Sequence, residues 1–444
     1  MKLNNINNST PIRDIAATFF NQAWRFLAGA LMVLIIPLYL TEEQQGYWYL
    51  FAGIAALSTF ADLGFSIIIL QFSAHEYALL RIGADGLLEG ADYNIKKIGS
   101  FLRYVIKWLS TICSIVFPII FFIGIFFFIR DGVITIYIIP WIIYAIGALL
   151  NFFNNSVLSF IEGMNQIAKI QKARLIVAII DSITVISCLL LHLNIYALAF
   201  SILLSSSFMF FTIFKTFGKV LKQIWALSKD FIYPWKQEIL PLFKKYVLSF
   251  ASGYFLFQIY TPLMHYFHGS VYSGKIGISM SIVLAMFNFS NIFVYTITPR
   301  INILIEKKEW KVLDNLFNKR LALSAFAYLI IACCVFVFIH FFSNISFISK
   351  IVSRFLPPQG LFILVLCYFI QIFINSWAVY LRGHKIEPYW YTGIVSAIWV
   401  FVVTVLIGKF LPAEYFFLGL LSSYVWGTPW TYIIYKNWKK KLHG

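Results

Sequence analysis

Charged residues are scarce in this chain, and acidic residues are the scarcest of them. Of its 444 residues only 12% are charged, with 18 Asp and Glu against 35 Lys and Arg, whereas 61% are hydrophobic. A soluble domain normally has about a quarter of its residues charged. The composition therefore excludes a soluble globular protein and predicts that lipid surrounds most of the chain.

Residues that commonly carry catalysis or bind metals are also few. The chain has no Gly-rich phosphate loop, no nucleophile with a base at motif spacing, and only isolated histidines. Its five cysteines fall in apolar runs without the spacing of a zinc site or a disulfide framework: Cys113, Cys188, Cys333, Cys334 and Cys367. We therefore predict that the protein is not an enzyme and that it uses no metal and no cofactor.

Long apolar runs, by contrast, recur about twelve times, and each is long enough to cross a bilayer as a helix. The predicted spans are residues 14–40, 47–73, 106–129, 133–161, 175–192, 195–217, 245–267, 275–298, 320–342, 359–381, 389–410 and 415–435. The N-terminal residues 1–12 lack the apolar core of a cleavable signal peptide, so we expect the first span to stay in the mature protein.

Basic residues alternate between the gaps that separate the spans. Segments on one side hold 29 Lys and Arg and segments on the other side hold five, while Arg25 lies inside a span. Basic loops face the cytoplasm, so both termini are predicted to be cytoplasmic. The net charge of +17 is scattered over many loops beside aromatic residues, which favours anionic membrane lipids over nucleic acid as the partner.

The chain divides into two halves that resemble each other. The run NSVLSFIEG at 155–163 matches NSWAVYLRG at 375–383, and Gly46 matches Gly274 at a similar offset. Between the halves, residues 218–244 are basic and aromatic and suit an interfacial linker. We predict an N-terminal lobe at 1–217, this cytoplasmic linker, and a C-terminal lobe at 245–444. Six spans per half predict an all-α polytopic membrane protein with two parallel six-helix bundles around a central cavity.

Two charged residues deep within spans are candidate site residues, because charge inside a membrane is costly unless it is paired or faces water. Arg25 and Asp62 each lie fifteen residues from the predicted outer end of their span, about 22 Å deep. One interpretation is a salt bridge between adjacent helices, and the other is an Arg25 that binds an anionic substrate.

Polar residues on other spans complete the candidate set. Asn151 and Asn155 share one side of the fourth span, Asn375 lies on the tenth span, and Lys275 lies at an outer helix end. Hydrogen bonds between helices would explain the amides. A sugar-binding cavity would also need them, because amides both donate and accept.

Several short motifs resemble those of bacterial O-antigen flippases, the Wzx-type polysaccharide transporters. They are LTEEQQGYWYLF at 40–51, FADLGF at 60–65, EGMNQIAK at 162–169 and PRIN at 299–302, and the layout of spans follows the same pattern. The resemblance implies an inner-membrane protein that moves an undecaprenyl-diphosphate-linked oligosaccharide to the periplasmic leaflet by alternating access. It implies that Arg25 binds the diphosphate, and that the partners are this lipid, membrane lipids and other polysaccharide assembly proteins.

Two other functions stay open at this point. A multidrug or cation antiporter of the same superfamily would have the same layout, and it would be expected to offer carboxylates to its substrate. A polysaccharide polymerase would usually carry a large outer loop, whereas the longest one here is about residues 343–358.

Overall fold

The computed structural model of the protein describes residues 12–83, 85–342, 345–384 and 386–443. Nearly all of these residues are helical, and they form two compact units. The first unit comprises residues up to Ala28 together with Ser58–Tyr246, and the second comprises Gly29–Leu57 together with Val247–Gly444.

The first helices of the chain lie on either side of this division. Helix α1 spans Ile12–Tyr39, α2 spans Glu42–Ala55, and a short 3-10 turn at Ala56–Ser58 leads to α3 at Thr59–Asp62 and α4 at Phe65–Tyr77. Thr41 begins α2 with a capping box, in which its hydroxyl accepts from the backbone of Gln44 and the Gln44 side chain accepts in return.

The remaining helices of the first unit are long. They are α5 at Asp92–Arg130, α6 at Ile134–Gly163, α7 at Ile167–Leu190 and α8 at Tyr196–Leu227, preceded by a hairpin of β1 at Arg81–Ile82 and β2 at Leu88–Glu89. Aromatic residues fill the core at one end of this unit. Trp235 is buried 4.8 Å from the ring of Phe101 and donates from Nε1 to Ser100 Oγ at 3.0 Å.

The second unit contains α2 and the helices of the C-terminal part of the chain. They are α10 at Tyr260–Tyr295, α11 at Thr298–Glu306, α12 at Trp310–Phe342, α13 at Ser346–Val352, α14 at Pro358–Gly383, α15 at Trp390–Phe410 and α16 at Leu418–His443. Helix α9, at Trp235–Phe257, begins in the first unit and ends in the second. Gly269 has a φ of 83° within α10. The Ser273 hydroxyl donates to the carbonyl of Thr261, twelve residues earlier. A straight helix would hold these groups far apart, so the bond shows that the chain folds back at Gly269.

The helices confirm an all-α polytopic membrane protein. In the described residues, nine helices are long and apolar enough to cross a membrane, and α2 to α4 form a tenth span that is bent by 45°. One of the nine runs over Phe250–Ile305 and folds back at Gly269, so it corresponds to two predicted spans. Helix α16 covers most of the predicted last span.

The bend in the second span has a clear local cause. Leu63 and Gly64 both have positive φ, of 44° and 81°, and this interrupts the helix. The Asp62 carboxylate accepts hydrogen bonds from the backbone N–H groups of Gly64 at 3.2 Å and of Ser66 at 3.0 Å. These bonds satisfy donors that the interruption leaves free, as a capping residue does.

The compact units do not follow the predicted halves everywhere. Residues 29–57 belong to the second unit although they fall within the predicted N-terminal lobe. The predicted linker at 218–244 consists of the end of α8, a short connection and the start of α9. The division into an N-terminal lobe at 1–217 and a C-terminal lobe at 245–444 stays a prediction.

The two matched segments of the halves make similar local contacts. The hydroxyls of Ser156 and Ser376 each donate to the carbonyl four residues earlier. A Cβ atom added to Gly163 would come within 2.6 Å of a backbone oxygen of α4. A Cβ atom added to Gly383 would come within 3.0 Å of a side chain of α11. Both glycines therefore allow close helix packing at equivalent points, and superposition of the whole halves stays a prediction.

Candidate functional site

The first unit contains a cluster of charged and amide side chains around Arg25. Arg25 lies on α1 with its side chain exposed, within electrostatic range of Asp181 and Arg174 on α7. In the part of the chain that the structure describes, no carboxylate lies within ion-pair distance of Arg25. Its guanidinium is therefore influenced by one acidic and one basic neighbour without being neutralised by direct contact.

Arg25 and Asp181 each lie well within an apolar helix. Arg25 is thirteen residues from the start of α1 and Asp181 is fourteen residues from the start of α7, so each lies about 20 Å along its helix. The Asp181 carboxylate accepts a long hydrogen bond of 3.5 Å from the Ser205 hydroxyl of α8. The Ser201 hydroxyl of α8 also interacts with this carboxylate, so two hydroxyls satisfy part of its acceptor capacity.

Two further pairs join the helices beside Arg25. Arg174 Nη2 donates to Glu162 Oε2 of α6 at 3.1 Å, and both side chains are about one-fifth exposed. Asn21 Nδ2 donates to Gln171 Oε1 at 2.8 Å in a buried contact between α1 and α7. The Asn21–Gln171 bond holds α1 against α7, the helix that carries both Arg174 and Asp181.

The hypothesis of an Arg25–Asp62 salt bridge is wrong for this structure. Among the described residues no ion pair joins the two, and Asp62 instead accepts bonds from Gly64 and Ser66. The depth argument assumed a straight second span, whereas that span is broken immediately after Asp62. A binding role for Asp62 stays a prediction.

Asn151 and Asn155 form an exposed amide pair on α6. Asn155 Nδ2 donates to Asn151 Oδ1 at 3.3 Å, one helical turn away. Their neighbour Asn154 faces the interior and donates to the carbonyl of Ser206 at 2.8 Å. Interhelix bonding therefore accounts for Asn154, while the two amides proposed from the sequence keep free donors and acceptors.

The candidates of the second unit form a separate group. Asn375 Nδ2 donates to Asn291 Oδ1 and to the hydroxyl of Tyr295, each at 3.0 Å. Tyr295 is 50% exposed. Lys275 is half-buried, with its ammonium 5.7 Å from the ring centroid of Tyr272. Asn375 thus lies in an amide and tyrosine cluster that the sequence did not predict as a group.

Sequence reasoning also missed the partners of Arg25. Asp181 was visible as an acidic residue within a span, but Arg174 was assigned to a loop because the predicted span began at 175. In the structure α7 starts eight residues earlier, at Ile167. An earlier start of the predicted span would have placed Arg174 on the same helix as Asp181.

Comparisons with known proteins bear on the fold. No protein-family profile and no curated protein matches the sequence. The structure is similar to an inward-facing multidrug resistance MATE family transporter of the MOP superfamily, with a TM-score of 0.58, 13% identity, and coverage of 97% of this chain and 99% of the other.

Two other solved structures match over a similar length. A mutant of the Vibrio cholerae MATE transporter VcmN gives a TM-score of 0.55 with 14% identity, covering 97% of this chain and 98% of the other. An outward-facing multidrug resistance MATE family transporter of the MOP superfamily gives 0.50 with 13% identity, covering 96% of each chain. The protein is therefore an all-α polytopic membrane protein whose fold is similar to that of these MATE transporters.

Proposed function

We propose that this protein is a transporter that works by alternating access and carries an undecaprenyl-diphosphate-linked oligosaccharide from the cytoplasmic to the periplasmic leaflet. The fold supports the transport part of the proposal, because the similar structures include an inward-facing and an outward-facing transporter. The exposed Arg25 within an apolar helix is the observation that carries the choice of an anionic substrate.

The cost of placing Arg25 in a membrane argues for a function. An arginine at the centre of a transmembrane helix costs about 2.5–3.5 kcal/mol on insertion scales, so such residues face water or a partner. A guanidinium binds phosphate oxygens through two parallel hydrogen bonds, which a lysine cannot do. Arg174 adds a second positive charge nearby, and its bond to Glu162 leaves Arg25 as the freer of the two cations.

The exposed amides suit the sugar part of the proposed substrate. A sugar hydroxyl that loses water without gaining a partner costs about 2–7 kcal/mol. Asn151 and Asn155 share one bond of 3.3 Å and keep further donors and acceptors for such hydroxyls. In the second unit, Asn375 and Tyr295 combine amide groups with an aromatic ring. The membrane potential, negative inside, favours outward movement of an anion by about 2.3 kcal/mol per charge per 100 mV.

A multidrug antiporter is the second candidate function, and Asp181 is the observation that favours it. Its carboxylate interacts with the hydroxyls of Ser201 and Ser205 and would attract a cationic substrate. Cells that lack this antiporter would become sensitive to cationic drugs and would keep normal pools of lipid-linked oligosaccharide.

The proposal is tested by export in a strain that depends on the chain. Arg25→Ala is expected to reduce surface polysaccharide about tenfold to a hundredfold, the loss of about 1.5–3 kcal/mol for hydrogen bonds to a charged group. Arg25→Lys should retain part of the export. Lys172→Gln, an exposed position on α7, is the matched control and should behave like the native protein.

Mass spectrometry of the accumulated lipids identifies the step that fails. An oligosaccharide diphosphate lipid should accumulate in the Arg25→Ala strain at equal protein level. If Arg25 only balances Asp181, the double variant Arg25→Gln with Asp181→Asn would restore export, because both charges disappear together. Full export by that double variant would refute the binding role.

A further inference from the structure

The first unit has a groove that none of the residues around Arg25 lines. Helices α5, α6 and α8 enclose a cavity of about 330 Å³. Its walls are mainly apolar, with Ile106 from α5, Val157 from α6 and Phe214 from α8 among the lining side chains. Phe214 is 46% exposed, so the rim of the groove lies at the surface of an apolar helix bundle, where hydrocarbon is the surrounding solvent.

One end of the groove is basic and aromatic. Lys222 and Trp225, in the last turns of α8, contribute to its lining. The guanidinium of Arg103 lies 4.3 Å from the centroid of a Trp225 ring that is 41% exposed. Arg103 Nε donates to Ser228 Oγ at 3.0 Å, which fixes the guanidinium beside this end of the groove. Neither Lys222 nor Arg103 pairs with a carboxylate within the part of the chain that the structure describes.

The position of this end matches an anionic membrane surface. Arg103 and Lys222 both belong to segments that the distribution of basic residues places on the cytoplasmic side. Each basic residue near that surface attracts anionic lipid, and Trp side chains prefer the same interface. The groove therefore combines an apolar channel with two cations and an indole at the depth of lipid headgroups.

We propose that the groove binds one acyl chain of an anionic phospholipid of the inner leaflet, whose phosphate contacts Lys222 and Arg103. A volume of about 330 Å³ is at the small end of ligand cavities and suits a single chain rather than a whole lipid. A resident phospholipid fits better than the prenyl chain of the proposed substrate, because the cation proposed for the substrate diphosphate is Arg25, which does not line the groove. The proposal is independent of the transported substrate.

Native mass spectrometry of the purified full chain tests this binding. Palmitoyl-oleoyl phosphatidylglycerol and the matching phosphatidylcholine are added separately to delipidated protein. The first bound phosphatidylglycerol should be retained at least fivefold more tightly than phosphatidylcholine. Lys222→Gln should reduce its retention about fivefold, corresponding to about 1 kcal/mol per basic residue at a lipid surface. Lys215→Gln, an exposed position on the same helix that does not line the groove, is the matched control.

A second variant tests the apolar part of the site. Ile106→Trp should fill the groove and abolish preferential retention of the first lipid, with the melting temperature used to confirm that the variant folds. If Ile106→Trp does not fold, the comparison of lipid retention by Lys222→Gln and Lys215→Gln tests the proposal alone. Both lysines are exposed, so neither substitution should prevent folding. Equal retention of the two lipids, or equal effects of the two lysine variants, would overturn the proposal. Recovery of a prenyl diphosphate lipid as the only retained lipid would also overturn it.

Discussion

The packing of α2 against α10 gives a prediction whose size follows from the structure. A Cβ atom on Gly46 would lie 2.5 Å from the carbonyl carbon of Ser270, where ordinary contacts are 3.4–4 Å. The obstacle is backbone, so Gly46→Ala must separate the two helices by about 1 Å. Overpacking of this kind costs about 1–3 kcal/mol. The separation would also stretch the buried 3.0 Å bond from Gln45 Nε2 to the carbonyl of Gly274, which contributes about 0.5–1.5 kcal/mol.

We therefore expect Gly46→Ala to lower the free energy of unfolding by about 2–4 kcal/mol. The measurement is a titration with sodium dodecyl sulfate in mixed micelles, followed by circular dichroism. Gly29→Ala is the matched control, because Gly29 is helical and a Cβ atom there would meet nothing within 4 Å. Its effect should be neutral or stabilising by up to about 1 kcal/mol, as the helix propensity of alanine predicts. Equal unfolding free energies for the two variants would refute the close approach of α2 and α10.

Two further predictions concern topology and pH. With the native cysteines removed, single cysteines introduced at Glu43 and Asp131 should react with an impermeant thiol reagent in intact cells. A single cysteine introduced at Asp230 should react only after the cells are permeabilised. The reverse pattern would overturn the predicted orientation. Burial lowers the pKa of His443, the nearby Asp314 carboxylate raises it, and Lys439 lowers it, with a lowered pKa as the net effect. Because the folded pKa lies below the unfolded value of about 6.5, the stability that neutral His443 contributes is present above that value and is lost as pH falls through the folded pKa. The melting temperature should thus fall less between pH 7.5 and 5 in His443→Gln than in the native protein, and equal slopes would contradict the assigned cause.

The crossings of the membrane could be predicted from sequence because each depends on one local property, a long apolar run. Interruptions within a run were harder to predict, since they depend on single residues. Leu63 and Gly64 break the second span at positive φ, and Asp62 caps the break. The sequence Asp-Leu-Gly was visible, but it was interpreted as a charge within a straight helix. A capping carboxylate followed by glycine is the signal that would have predicted the break.

The site could be predicted only in part, for a different physical reason. Arg25 was identified by the cost of a charge in lipid, which needs no knowledge of neighbours. Its environment depends on which helices pack together, and apolar faces carry little information about their partners. The placement of Asn21 beside Gln171, which fixes α1 against α7, rests on an amide pair separated by 150 residues. The assignment of residues 29–57 to the second unit was not predicted for the same reason.

The glycines matched between the halves show what a repeat adds to such an inference. Gly46 and Gly274 were paired from sequence at an offset of 228, and in the second unit a Cβ atom on Gly274 would lie 2.9 Å from the backbone nitrogen of Gly46. One turn further, Tyr49 packs against Gly277, and these two positions have the same offset. Equivalent positions that contact each other lie close to the axis that relates the repeats, as in an isologous interface. Two such pairs on one helix face therefore predict a pseudo-two-fold axis between α2 and the second part of α10. When the N-terminal half of the chain is superposed on the C-terminal half, α2 should consequently fall on the residues of α10 that follow Gly269. A superposition that paired α2 with any other helix would refute the internal repeat.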